Sequence, residues 1–128
     1  MNVTLMTAGL CGLLYFWLSF RVVEIRQSAK VLLGDGGDAL LLSRIRAHAN
    51  FAEYVPICLV LIAIIELSDN ESPPALYAAG IGLVAVRVAH AIGMAQGGAN
   101  RWRLAGTAGT WLVMLALSVW ALVRAVVS

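Results

Sequence analysis

Charge is what this sequence has least of. Asp, Glu, Lys and Arg make up 12% of 128 residues, against 61% hydrophobic residues. Soluble domains carry about twice that share of charge, so an ordinary soluble fold is excluded. Cysteine is almost missing. Cys11 and Cys58 both lie inside apolar runs, where they read as small packing residues; nothing requires a disulfide, and no metal is expected. A net charge of +2 is too small to suggest nucleic acid as a partner. Strict alternation of apolar and polar residues is also lacking, which excludes a membrane barrel. No basic residue precedes the first apolar run and no small-x-small pattern follows it, so it does not read as a signal peptide.

What is present is four long apolar segments, at residues 3–20, 47–67, 75–95 and 104–123. Each approaches the roughly 20 residues that a helix needs to cross about 30 Å of hydrocarbon. The expected fold is all-α and integral to the membrane: one domain over residues 1–128, with helices at about 3–29, 39–67, 74–95 and 101–126. Asp38 is placed to cap the second helix and Pro74 to open the third. Pro56 falls inside the second and should kink it. Short connections favour an up-down bundle.

Arg21, Arg26, Lys30, Arg44 and Arg46 flank the first connection, and Arg101 and Arg103 the third. The second carries Asp69 and Glu71 and no cation. The excess of cations on cytoplasmic loops then puts connections one and three inside and both termini outside. Small residues (Gly82, Ala85, Ala89 and Gly93, then Ala105, Gly106, Ala108 and Gly109) mark faces for close helix contact.

The second apolar segment begins with charge. At 100° per residue, Arg46, Asn50 and Glu53 fall within about 60° of one another, with Tyr54 at the edge of that face. Arg44 and His48 point about 160° away from Arg46. Ionised groups so close to hydrocarbon cost several kcal/mol unless they are paired or face a polar cavity. Two readings stay open. Arg46 and Glu53 neutralise each other, with Arg44 and His48 snorkelling to the interface; or the face is a pocket for a zwitterion, its guanidinium matched to carboxylate. Two polar faces fit a helix between neighbours, with pockets on either side.

Arg46-x-x-x-Asn50-x-x-Glu53-Tyr54-x-Pro56 resembles the second-helix signature of the MAPEG family, the membrane-associated proteins of eicosanoid and glutathione metabolism. Microsomal glutathione transferases, leukotriene C4 synthase and the five-lipoxygenase-activating protein belong to it. The resemblance implies a homotrimer of four-helix bundles, of the bacterial type and so in an inner membrane, binding glutathione as co-substrate between subunits at the cytoplasmic side. It implies Arg46, Asn50, Glu53 and Tyr54 as glutathione contacts, His48 as a further one at an intersubunit site, and Arg26 as one near the end of the first helix. Arg103-Leu104-Ala105 is similar to the start of the synthase's fourth helix, which implies Arg103 as the group that holds the thiolate; Asn100-Arg101 fits the microsomal transferases and keeps Arg101 as the alternative. Arg87 and His90, about 60° apart on the third helix, read as structural or secondary polar residues, as does Arg44. Arg87 is too deep to face lipid, so a partner such as Glu53 is expected.

Residues 91–96 hold no aromatic where the synthase has two tyrosines. The leading expectation is a membrane glutathione transferase and peroxidase acting on lipophilic electrophiles. The alternative is a non-enzymatic protein that binds lipids or scaffolds partners. A small multidrug transporter ranks below both, because the first helix holds no acid before Glu24.

Overall fold

A computed structural model describes residues 1–69 and 72–127. Asn70 and Glu71 of the acidic connection lie outside the described residues, as does Ser128. Four helices follow one another: α1 Asn2–Ala29, α2 Ala39–Asp69, α3 Pro74–Gln96 and α4 Arg101–Val127. All four are long and apolar enough to span a membrane, and the chain is an all-helical membrane bundle.

Local chemistry sets the ends. The Asp38 carboxylate accepts the Leu41 N–H at 2.9 Å, an N-cap on α2. Pro74 occupies the first turn of α3, where its missing donor costs nothing. Lys30 closes α1 in a left-handed conformation, φ 55°. α2 continues through Pro56 as one helix.

α2 and α3 form the middle of the bundle, each touching the other three helices. α1 and α4 lie on opposite sides and do not meet among the described residues. The core runs down this centre through Cys11, Leu18, Phe51, Val55, Cys58, Ile62 and Leu83. Outward faces stay apolar: Leu13 and Phe16 on α1 and Leu112 and Leu122 on α4 are all more than two-thirds exposed. That is the solvation hydrocarbon supplies, and it would aggregate in water.

Glycines bring α3 and α4 together. A methyl group at Gly93 would fall on the Arg103 backbone, at Gly106 on the His90 backbone, and at Gly109 on the Val86 side chain. Gly80, against Thr7 and Val3, does the same for α1 and α3. The expected stripe on α3 is therefore rotated. Gly82 meets only Val113 at 4.0 Å and Ala85 is exposed, so Gly80 and Gly93 make the close contacts.

One clamp has no counterpart in the sequence expectations. Glu66, 2% exposed, reaches the start of α1. Its carboxylate accepts the N–H groups of Val3 and Thr4, each at 2.9 Å, and the Thr4 hydroxyl at 2.6 Å. The Ser72 hydroxyl donates to it as well, and the N-terminal ammonium stands 3.3 Å away. α1 has no acid in its own first turn. Glu66 thus satisfies helix-end donors and the positive end of the dipole from another element. Nearby, Arg124 pairs with Asp69 at 2.6 Å and joins α4 to α2.

Candidate functional site

The polar opening of α2 lies at the other end of the bundle, and its two sides differ. Arg44 and His48 turn toward α1. Arg44 Nη1 donates to the Arg21 carbonyl at 3.0 Å and to Glu24 at 2.9 Å. His48 Nε2 sits 3.0 Å from the Ser19 hydroxyl. That hydroxyl already donates to the Tyr15 carbonyl at 2.9 Å, so its oxygen accepts from the imidazole. The His48 ring also stacks on Tyr15, centroids 4.6 Å apart. On this side α1 of the same chain meets the two residues, through Glu24 at Arg44 and through Ser19 and Tyr15 at His48.

Arg26 is likewise engaged within the chain. Its Nη1 donates to the carbonyls of Val31 at 3.3 Å and Gly34 at 2.8 Å. The connection folds back over the end of α1, and the guanidinium satisfies the loop's own acceptors.

Arg46, Asn50 and Glu53 share the other side, where Arg46 and Glu53 are exposed and Asn50 is partly buried. Arg46 and Glu53 stand 3.7 Å apart with side chains 54% and 51% exposed. Two turns of helix separate them, the reach of an extended arginine. The Asn50 amide oxygen is buried without a hydrogen-bond partner, and Tyr54 is half-buried one position beyond Glu53. A cation, an anion and an unsatisfied amide acceptor thus line one strip. Left against lipid even this loose pair would be costly; the charged ends of a zwitterion offer each member a closer partner.

α4 places the second part. Asn100 caps this helix by accepting the Arg103 N–H on its side-chain oxygen at 2.9 Å. Its amide nitrogen donates to the Gly93 carbonyl at 2.8 Å, fastening the cap to the end of α3. Gly97 and Gly98 turn the chain there at φ 74° and 62°, a region natural for glycine. Among the described residues the Arg103 guanidinium makes no hydrogen bond or ion pair, and Arg103 borders an open depression of about 250 Å³ with Ala99, Asn100, Leu104 and Thr107. Arg101 lies over the Trp102 ring at 5.8 Å.

Arg87 is buried among neutral groups. It donates to Thr110 Oγ1 and to His90 Nδ1, each at 3.3 Å, and stands over the Phe51 ring at 5.6 Å. Glu53, the expected partner, pairs with Arg46 instead, because the α2 face carrying Glu53 turns outward. The hydroxyl of Thr110, one α4 turn beyond Gly106, was the missing signal: only the close approach at Gly106 brings it to Arg87.

Comparison with known proteins adds to this geometry. A sequence profile described as the MAPEG family matches residues 4–123. Two relatives share 37% identity with the chain over 121 residues, covering 92% of this chain and 91% of theirs. Both are named inner membrane protein YecN, one from Escherichia coli strain K12 and one from Escherichia coli O6:H1.

Proposed function

The chain belongs to the MAPEG family, and from that premise we propose that it is a membrane glutathione transferase. It binds glutathione at a subunit interface and holds it as thiolate for attack on lipophilic electrophiles, with peroxide reduction as a second use of the same thiolate. By analogy with its relatives' name, it resides in a bacterial inner membrane.

The observation that carries this reading is the polar strip of Arg46, Asn50 and Glu53. Glutathione offers two carboxylates, an amine and two amides. Arg46 takes a carboxylate and Glu53 the ammonium, both from exposed side chains; the Asn50 side chain turns outward to offer its buried oxygen to an amide N–H, with the Tyr54 hydroxyl at the edge. Each contact replaces a charge facing lipid or another copy by one hydrogen-bonded to the ligand. Arg46 and Glu53 stay exposed in the single chain, which supports a site completed by a neighbouring copy and hence the homotrimer.

Arg103 then acts on the sulfur. A thiol of pKa about 8.5 is mostly protonated at neutral pH, and each unit of lowering needs about 1.4 kcal/mol of preference for the anion. A guanidinium at the edge of a low-dielectric cavity supplies such preference. Arg103 is the better candidate because Arg101 is drawn over Trp102. In the attack, the thiolate donates an electron pair to the electrophilic carbon and the leaving group departs with the bonding pair. Arg103 releases a neutral thioether, and glutathione's proton has already passed to solvent.

The test uses detergent-purified protein. Titration with glutathione should saturate, and an ultraviolet thiolate absorbance should grow near neutral pH. Protein that binds no glutathione, or binds it only as thiol, contradicts the reading. A second reading, lipid binding without catalysis, draws on the end of α3: residues 91–96 present no aromatic to stack on or hydrogen-bond a ligand. Binding of fatty acid unaffected by glutathione, together with no turnover of an electrophile such as chlorodinitrobenzene, would select it.

A further inference from the structure

We propose that the α1–α2 connection is a lipid-docking segment, with Leu32 and Leu33 lying in the headgroup layer of the bilayer the helices span and Arg26 holding them there. These leucines are 90% and 89% exposed, the highest of any large apolar side chains described. They are not loosely displayed. Val31 beside them is partly buried under Gly36, where a methyl group would strike the Val31 side chain, and the Val31 N–H bonds to the Arg26 carbonyl at 3.1 Å. The loop is packed inward at Val31 and presents its two leucines outward.

Their height relative to the membrane follows from α1. Its apolar run ends at Phe20, and Arg21 next to it lies over the Trp17 ring at 4.7 Å. An arginine with an exposed tryptophan marks the hydrocarbon boundary. Arg26 is five residues further, about 7.5 Å along the axis at 1.5 Å per residue. Left to extend, the chain after Lys30 would leave the membrane surface. Instead the Arg26 guanidinium binds the Val31 and Gly34 carbonyls, returning residues 31–34 to its own level. The headgroup layer is about 5–7.5 Å deep on each face, so that level is its outer part, and side chains there enter the headgroups.

The neighbourhood suits that environment. Leu40 and Leu42, in the first turns of α2, are 48% and 45% exposed at the same end. Lys30 stands at the tip of α1, exposed. Apolar side chains directed into the interface beside a cation suit a segment lying in the surface of a membrane with anionic lipid. Nothing in this docking requires a bound thiol.

The test is a nitroxide on Leu33→Cys in the full chain, reconstituted in nanodiscs of phosphatidylglycerol and phosphatidylethanolamine. Cys11 and Cys58 are 1% and 0% exposed, so labelling favours the introduced thiol, and unmutated protein gives the background. Docking predicts an oxygen-to-nickel-chelate accessibility ratio severalfold above that of a label on Ala99→Cys in the other basic connection. It also predicts that adding Arg26→Gln lowers the ratio at position 33 toward the Ala99 value. Equal ratios at positions 33 and 99 overturn the proposal. Low accessibility to both reagents with strong label–label coupling also overturns it, because a second copy then covers the loop. If the ratio stays high without Arg26, Arg26 is not what holds the segment, and that half of the proposal falls.

Discussion

Arg103 carries the proposed chemistry from the first turn of α4, and among the described residues its guanidinium holds no other side chain. Arg103→Ala should therefore leave the fold and the proposed trimer intact. Wild-type thiolate absorbance is expected to rise with pH at a midpoint below the ordinary thiol value of about 8.5; in the variant the midpoint returns to it. The sign follows from the cation: it favours the anion, lowers the pKa and enlarges the thiolate fraction at neutral pH. A wild-type midpoint unchanged by the substitution would transfer the role to Arg101. Glu66 works at the opposite end as a clamp. Glu66→Leu strips two backbone N–H groups and the hydroxyls of Thr4 and Ser72 of their acceptor, about 1–3 kcal/mol for each buried group left unpaired. Glu66→Gln keeps one acceptor oxygen and should lose less. Thermal unfolding in detergent checks the order: wild type highest, Gln intermediate, Leu lowest. The sequence concealed this clamp because an acid ending an apolar run reads as an interface residue, and its partners, Val3 and Thr4, lie more than sixty positions away. Arg46 with Glu53 was legible, since two turns of one helix fix their common face whatever surrounds it.

Among the elements, the junction of α3 and α4 decides where Arg103 points. Asn100 caps α4 and binds the end of α3 through the Gly93 carbonyl. Asn100→Ala should lower stability by about 0.5–2 kcal/mol, the range for a lost N-cap. It should also shift the thiolate midpoint upward with little change in glutathione affinity, because Arg46, Asn50 and Glu53 are on α2. A variant that loses stability alone would make Asn100 a cap and nothing more. Gly106→Val places a side chain against the His90 backbone and should separate the two helices. The measurable results are loss of the proposed trimer in native mass spectrometry and a fall in melting temperature. The existence of these helices was plain from their apolar runs; their rotation was not. Spacing put Gly82 and Gly93 on one face, but which small residues meet a neighbour depends on the crossing of the helices. His48 shows the same limit: its angle on α2 could be read, whereas the Ser19 and Tyr15 that occupy it come from α1.

At the scale of the whole molecule, a single chain leaves the charged ends of its polar strip exposed and its outer helices apolar. Only 11% of the most apolar stretch of α4 is buried within the chain, which leaves that face to lipid or to another copy. The proposed orientation puts the α1–α2 and α3–α4 connections in the cytoplasm and both termini outside. A membrane-impermeant thiol reagent applied to intact cells should miss Ala99→Cys and modify a cysteine added after Ser128; the reverse pattern would invert the topology. The central claim is that the polar strip on α2 binds glutathione, and equilibrium titration of purified protein with labelled glutathione tests it most directly, with Arg46→Ala alongside. The account predicts saturable binding to the wild type and at least a tenfold weaker affinity for the variant, about the 1.4 kcal/mol of one lost charged contact. Wild-type protein that is trimeric and folded yet binds no glutathione, or a variant that binds as tightly as wild type, would contradict it.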